Sequence, residues 1–142
     1  MTADMRPIKF RAWNTTIKKM GMVKTLNLVG RMSEIDFGLE NPDEGWRRLA
    51  RAVFGAKHSE TTFMQFTGIK DKNGKDIYES DLVYWKQSPG GLLPADENYY
   101  VCQIIWGDSA WECKHLTSES KFTFSGNHME VIGNIYENKE LL

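Results

Sequence analysis

The chain has 142 residues, 41% of them hydrophobic and 26% charged, a composition that suits one soluble globular domain with a core of its own. A net charge of -1 argues against nucleic-acid binding through bulk charge and against acidic mimicry of DNA. Apolar runs are only a few residues long and no signal peptide opens the chain, so the expectation is a cytoplasmic protein with no membrane partner.

From the start, Ile8, Phe10 and Ala12 alternate with Lys9, Arg11 and Trp13, as a strand with one buried face should. Polar residues from Asn14 to Lys19 make a turn, and a second strand from about Met20 to Val29 completes an N-terminal hairpin. Ile35, Phe37 and Leu39 mark a strand fragment or loop. One helix is expected next. Asn41 suits its N-cap, Pro42 its first position and Asp43 and Glu44 its first turn, where the helix dipole favours negative charge. Trp46, Leu49, Ala50, Val53 and Phe54 then form one apolar stripe, and Gly55 ends it.

The strongest pattern runs from Phe63 to Val83, a hairpin leading into a third strand. Asn73-Gly74 supplies the positive φ angles of a tight turn there, between β-prone flanks. Asp81 to Lys86 continues as a strand, and Gln87 to Asn98, with two prolines and two glycines, reads as a long loop in which Leu92 and Leu93 offer a contact point. Tyr99 to Trp106 and Trp111 to Leu116 form a second hairpin around Gly107 to Ala110. With the two tryptophans facing, Ile104 lies opposite Cys113 and Cys102 opposite His115, all on one face, because side chains alternate along a strand. Phe122 and Phe124 suggest another strand, Gly126-Asn127 a turn, Met129 to Tyr136 a last strand, and Glu137 to Leu142 a tail. The expected class is α+β, mostly antiparallel β with one main helix, the C-terminal part curled into a small SH3-like barrel. A single domain, 1–142, would comprise a hairpin-plus-helix subregion (1–62) and a β-rich subregion (63–142).

Candidate chemistry is sparse. Cys102, Cys113 and His115 on one face offer a thiol nucleophile with a base, or three zinc ligands; the spacing matches no metal motif, and the competing reading is two reduced, half-buried cysteines beside tryptophans. Glu79 and Asp81, two apart, would share a face in an extended segment and could divide acid and base roles; the structural alternative has Asp81 bonding local backbone amides at a turn. Arg47, Arg48 and Arg51 on the helix, with Arg11 and Trp13 on the first strand, are the candidate nucleic-acid-binding residues, set against a solvated face and rings that fill a core or interface. Residues 1–60 hold eleven basic against seven acidic residues (+4) and residues 61–142 seven against twelve (-5), a split that would let subunits attract. No catalytic residue, metal or cofactor is assigned.

Three blocks carry a family resemblance. Thr67 to Asp81, TGIKDKNGKDIYESD, looks like the central motif of the YopX-like proteins, small bacteriophage and prophage proteins; IKFRAWN (Ile8 to Asn14) is similar to their opening, and EVIGNIYENKELL (Glu130 to Leu142) to their closing run. The blocks cover 35 residues in the right order. The resemblance implies a phage or prophage protein in a bacterial host and carries over no catalytic residues. Where this chain has Ser80 the family pattern has glycine, which puts a positive φ angle there in doubt. The expected function is a non-catalytic accessory module that binds a host or phage protein or itself as a homo-oligomer. A nucleic-acid-binding module using the basic helix is the alternative, and a small metal-dependent or thiol enzyme the third.

Overall fold

The computed structural model describes residues 7–27, 29, 33–38, 60–86, 99–118 and 120–142. Ten strands fill most of them: β1 (Phe10–Asn14), β2 (Lys19–Thr25), β3 (Glu34–Asp36), β4 (Thr61–Lys70), β5 (Asp76–Tyr78), β6 (Asp81–Lys86), β7 (Tyr99–Trp106), β8 (Trp111–His115), β9 (Lys121–Thr123) and β10 (Met129–Asn134). Every pairing among them is antiparallel. The α+β expectation is therefore corrected. Among the described residues there is no α-helix, and helical backbone is confined to short 3-10 turns such as Gly126–His128 and Lys139–Leu141. The class label rested on one apolar stripe, and the Asn41 to Gly55 segment that carries it, with Arg47, Arg48 and Arg51, lies outside the described residues, as does the Gln87 to Asn98 loop. No described helix is long and apolar enough to cross a membrane.

The chain divides into two compact units, Lys9–Gln65 and Phe66–Leu142 with the residues up to Ile8. In the first, the strand order is β3-β2-β1-β4. One face of this sheet buries Ala12, Ile35 and Phe37, with Ile17, Val23 and Phe63 packed around them. Alternation along β1 explains the choice: Ala12 and Asn14 point inward and are buried, while Arg11 and Trp13 sit on the opposite face beside Met22 and Met20. Asn14 closes the β1–β2 turn by accepting the backbone N–H groups of Thr16 (3.0 Å) and Ile17 (3.1 Å) on Oδ1.

In the second unit the sheet order is β10-β6-β7-β8-β9, and its inner face buries Ile77, Val83, Cys102, Ile104, Cys113 and Met129. The sheet coils strongly. Trp85 on β6 and Phe122 on β9 meet across the concave face, ring centroids 4.6 Å apart, although β7 and β8 lie between them. Coiling does not become closure, and the SH3-like barrel is the second correction. Closing it would require β9 to pair with β10, but the outer edge of β10 is already occupied: Lys72 donates its N–H to the Met129 carbonyl (3.0 Å), and the Val131 N–H donates to Asp71 Oδ2 (3.0 Å).

The turn that makes those bonds also differs from the expected one. Of Asn73-Gly74 only Gly74 has a positive φ, +80°; Gly74 donates to the Asp71 carbonyl (3.0 Å) and Asp71 to the Lys75 carbonyl (2.8 Å), the pattern of a three-residue loop with a glycine bulge. Ser80 contradicts the expectation drawn from its side chain. It keeps a left-handed φ of +68° because its N–H bonds the Ile104 carbonyl (2.8 Å) and its carbonyl accepts from Ile135 (3.1 Å), which pins the backbone whatever the residue. Relief of the left-handed penalty outweighs glycine's extra chain entropy, so Ser80→Gly is expected to stabilise the fold by about 0.5–1 kcal/mol in urea unfolding. A destabilised variant would overturn that account of Ser80.

Candidate functional site

The β7–β8 register places the candidate cysteines as the alternation predicts: Cys102 opposite His115, Ile104 opposite Cys113, Trp106 opposite Trp111. Their environment is core. Cys102 and Cys113 are both 0% exposed, both are free thiols, and Cys113 Sγ contacts Met129 Sδ at 4.0 Å. The contact with Cys102, added to burial among Ile77, Val83 and Ile104, pushes the Cys113 thiol far up, so the nucleophilic thiolate is disfavoured. His115 is turned to local structure. Its Nδ1 accepts the Thr117 N–H (3.2 Å) with Thr117 Oγ1 at 3.0 Å, which leaves the ring proton on Nε2, and the ring lies edge-on to Tyr100 at 4.8 Å. Among the described residues no group of three His, Cys, Asp or Glu side chains is arranged to hold a metal ion. With iodoacetamide at mildly alkaline pH, both cysteines of the folded protein are expected to react at least about a hundredfold more slowly than in the urea-unfolded chain. Fast labelling of either would return it to the list of nucleophiles.

Glu79 and Asp81 do not share an extended face, because the left-handed Ser80 turn separates them. Asp81 is buried and accepts the Tyr78 N–H on Oδ2 at 2.8 Å, as the structural reading expects. Arg11 and Trp13 are brought together on one face of β1, both half-buried. Arg47, Arg48 and Arg51 lie outside the described residues.

Two features were missed. Asp71 appears in the sequence only as a turn residue, yet it is buried and its carboxylate accepts three backbone N–H groups: Asn73 (2.8 Å) and Lys75 (2.9 Å) on Oδ1, and Val131 on Oδ2. An aspartate directly before a Lys-Asn-Gly turn was the available signal. Trp106 is the second. It packs against Trp111 (centroids 4.8 Å, interplanar 77°) but remains 56% exposed at the tip of the β7–β8 hairpin, where the facing pair alone gave no sign of which ring would stay outside.

Several polar side chains of the three resembling blocks bond backbone, while others, Lys70 with Asp76 and Lys72 with Glu130, form ion pairs. Thr67 Oγ1 donates to the Ile77 carbonyl (2.8 Å); Asn134 Oδ1 accepts from Tyr136 (3.0 Å) and Glu137 (2.9 Å); Asn138 Oδ1 accepts from Asn134 (3.1 Å); Asn14, Asp71 and Asp81 do likewise for their own turns. These residues specify backbone. Compared with known families, residues 9–142 match the one described as "YopX protein".

The chain belongs to the YopX protein family. It is similar to the crystal structure of protein EF1440 from Enterococcus faecalis, with 26% identity, a TM-score of 0.56, and 96% of this chain and 98% of that one covered. It is also similar in fold to protein yopX from Bacillus subtilis, with 16% identity, a TM-score of 0.50, and 97% and 99% of the two chains covered. No curated protein matches significantly. Within the blocks quoted above, several conformationally demanding residues hold turns and a sheet edge.

Proposed function

We propose that this YopX protein is a non-catalytic, phage- or prophage-encoded accessory module that acts by binding a protein, either a host or phage component or further copies of itself. One observation carries the reading: several polar residues of the family blocks are turned to backbone, while Trp106, the most exposed aromatic side chain among the described residues, stands on an ordered hairpin. Exposed tryptophan on a rigid element is the usual anchor of a protein interface. Burial of both cysteines in the core weighs against the thiol-enzyme alternative.

A nucleic-acid-binding module is the second reading. Its support is the shared face of Arg11 and Trp13, a ring beside a cation on a sheet, which suits stacking with single strands. Recovery of the protein at native level from its bacterial host, with light scattering for mass and mass spectrometry for composition, separates the two. A defined complex of protein only is the expected result. A lone monomer would overturn the protein-binding reading. Nuclease-sensitive material that is lost when Arg47, Arg48 and Arg51 become alanine would replace it with the second.

A further inference from the structure

The β7–β8 hairpin tip combines three properties found together nowhere else among the described residues. Trp106 exposes over half its surface, and Trp111, edge-to-face with it, packs on the core and so ties the tip to the body of the sheet. The turn between them is closed by the Gly107 N–H donating to the Ala110 carbonyl (2.8 Å). Two carboxylates belong to the same tip: Asp108 in the turn, exposed, and Glu112, whose carboxylate folds back against Gly107. Two acids of this unit have lysine partners, Asp76 with Lys70 and Glu130 with Lys72, while Glu137 and Glu140 accept from Asn134 and Asn138. Neither Asp108 nor Glu112 has an ion-pair partner among the described residues; the stretch from Tyr99 to Cys113 contains no lysine or arginine, and the nearest cations on the face of Glu112, Lys114 and Lys121, lie opposite each other two positions further from the tip.

We infer that this tip is the docking point for a cationic segment of a partner protein, an arginine- or lysine-rich stretch whose side chains lie on Trp106 and pair with Asp108 and Glu112. Charge complementarity selects the occupant. An exposed indole face attracts a cation through its quadrupole, tryptophan most strongly, and the two carboxylates extend that preference over the surrounding surface. The same charges repel a phosphate backbone at the tip, which favours a cationic peptide over nucleic acid there. Glu112 lies over Gly107 on the convex side while Trp106 projects from the concave side, so a segment reaching both must cross the tip rather than run along one face. The inference rests on the protein-binding reading and adds the partner's chemistry to it.

The test titrates the full chain into a fluorescent hexa-arginine peptide and, in separate experiments, into labelled hexaglutamate and a labelled single-stranded oligonucleotide, each followed by anisotropy at low and physiological salt. Saturable binding of the arginine peptide alone is expected, weakened by rising salt and by about tenfold in Trp106→Ala. Asp108→Lys, a surface change that leaves the core untouched, should weaken it at least as much and decides the matter if the tryptophan variant unfolds. Arginine-peptide binding unchanged in both variants, no preference over hexaglutamate, or oligonucleotide binding that is lost with Trp106 would each overturn the inference. If it falls while a stoichiometric protein complex is still recovered from the host, the protein-binding reading stands without it; a lone monomer there would remove both.

Discussion

Replacing Asp71 with alanine is expected to lower the unfolding free energy by about 3–5 kcal/mol, a large fraction of the roughly 5–15 kcal/mol that holds a domain together. Three backbone N–H groups lose their acceptor at once. Two of them, Asn73 and Lys75, shape the hairpin turn, and the third, Val131, belongs to a strand sixty positions away, so one carboxylate fastens the β4–β5 hairpin to the edge of β10. Charge-assisted bonds of this kind are each worth about 1.5–3 kcal/mol net, and partial solvent access of the turn reduces their sum. The substitution Asp71→Asn separates the contributions: the amide carbonyl can still serve the turn, while the amide nitrogen meets the Val131 N–H donor to donor. About half the loss is expected. Chemical unfolding followed by Trp fluorescence checks both variants, and an alanine variant within about 0.5 kcal/mol of the wild type would refute the role given to Asp71.

The same carboxylate makes stability depend on pH. Burial raises its pKa, but the bonds from Val131, Lys75 and Asn73 together outweigh burial and hold it below the ordinary aspartate value of 3.8. A folded-state pKa below the unfolded one means that the unfolded chain takes up the proton first. The stabilisation is therefore complete above the ordinary value, and is lost as pH falls through the lowered one. Wild-type stability should drop in that acid window more steeply than that of Asp71→Asn, which lacks the titrating group.

Gly126→Ala is expected to be about as damaging, at roughly 3 kcal/mol or more, for a steric reason at the same junction. A Cβ at position 126 would overlap the Lys70 carbonyl oxygen and sit 2.8 Å from Ile69 Cγ2. The carbonyl cannot swing aside, because Lys70 is the last residue of β4 and the bonded turn follows at once. Gly107→Ala is the matched control. There the atoms nearest the added Cβ belong to the Glu112 carboxylate, the far end of a flexible side chain, and the loss should stay below about 1 kcal/mol. Hydrogen exchange gives a local readout: in Gly126→Ala the amides of Lys72 and Val131 should lose protection before the β7–β8 ladder does. Equal stability of the two alanine variants would mean that the segment before β10 does not dock where the structure puts it.

The most local elements were the most legible. Both hairpin strands β7 and β8, their four-residue turn and their register follow from side-chain alternation and one facing tryptophan pair, and the structure reproduces all three pairings. β3 was legible only as an apolar alternation at Ile35 and Phe37, and β2 ends at Thr25, short of the Val29 that propensity suggested. Asp81 was read correctly as a turn acceptor because its partner, Tyr78, is three residues away. Asp71 was not, since its decisive partner is Val131. The thiols show the same division in the candidate site: their common face was readable, but their complete burial depends on Ile77, Met129 and other core residues brought in from distant strands.

By itself, then, the amino-acid sequence determined antiparallel strands, the two clearest hairpins, one cross-strand register and membership of the YopX protein family, because turn chemistry and period-two alternation act over a few residues and leave their mark in order along the chain. Only the tertiary structure decided that the second sheet coils without closing, that Ser80 keeps a left-handed backbone, and that Asp71 is spent on backbone while Trp106 is left exposed. Each of those outcomes turns on which backbone group reaches an edge first. Lys72 and Asp71 occupy the outer side of β10, and no local pattern records a contact made across sixty residues of chain.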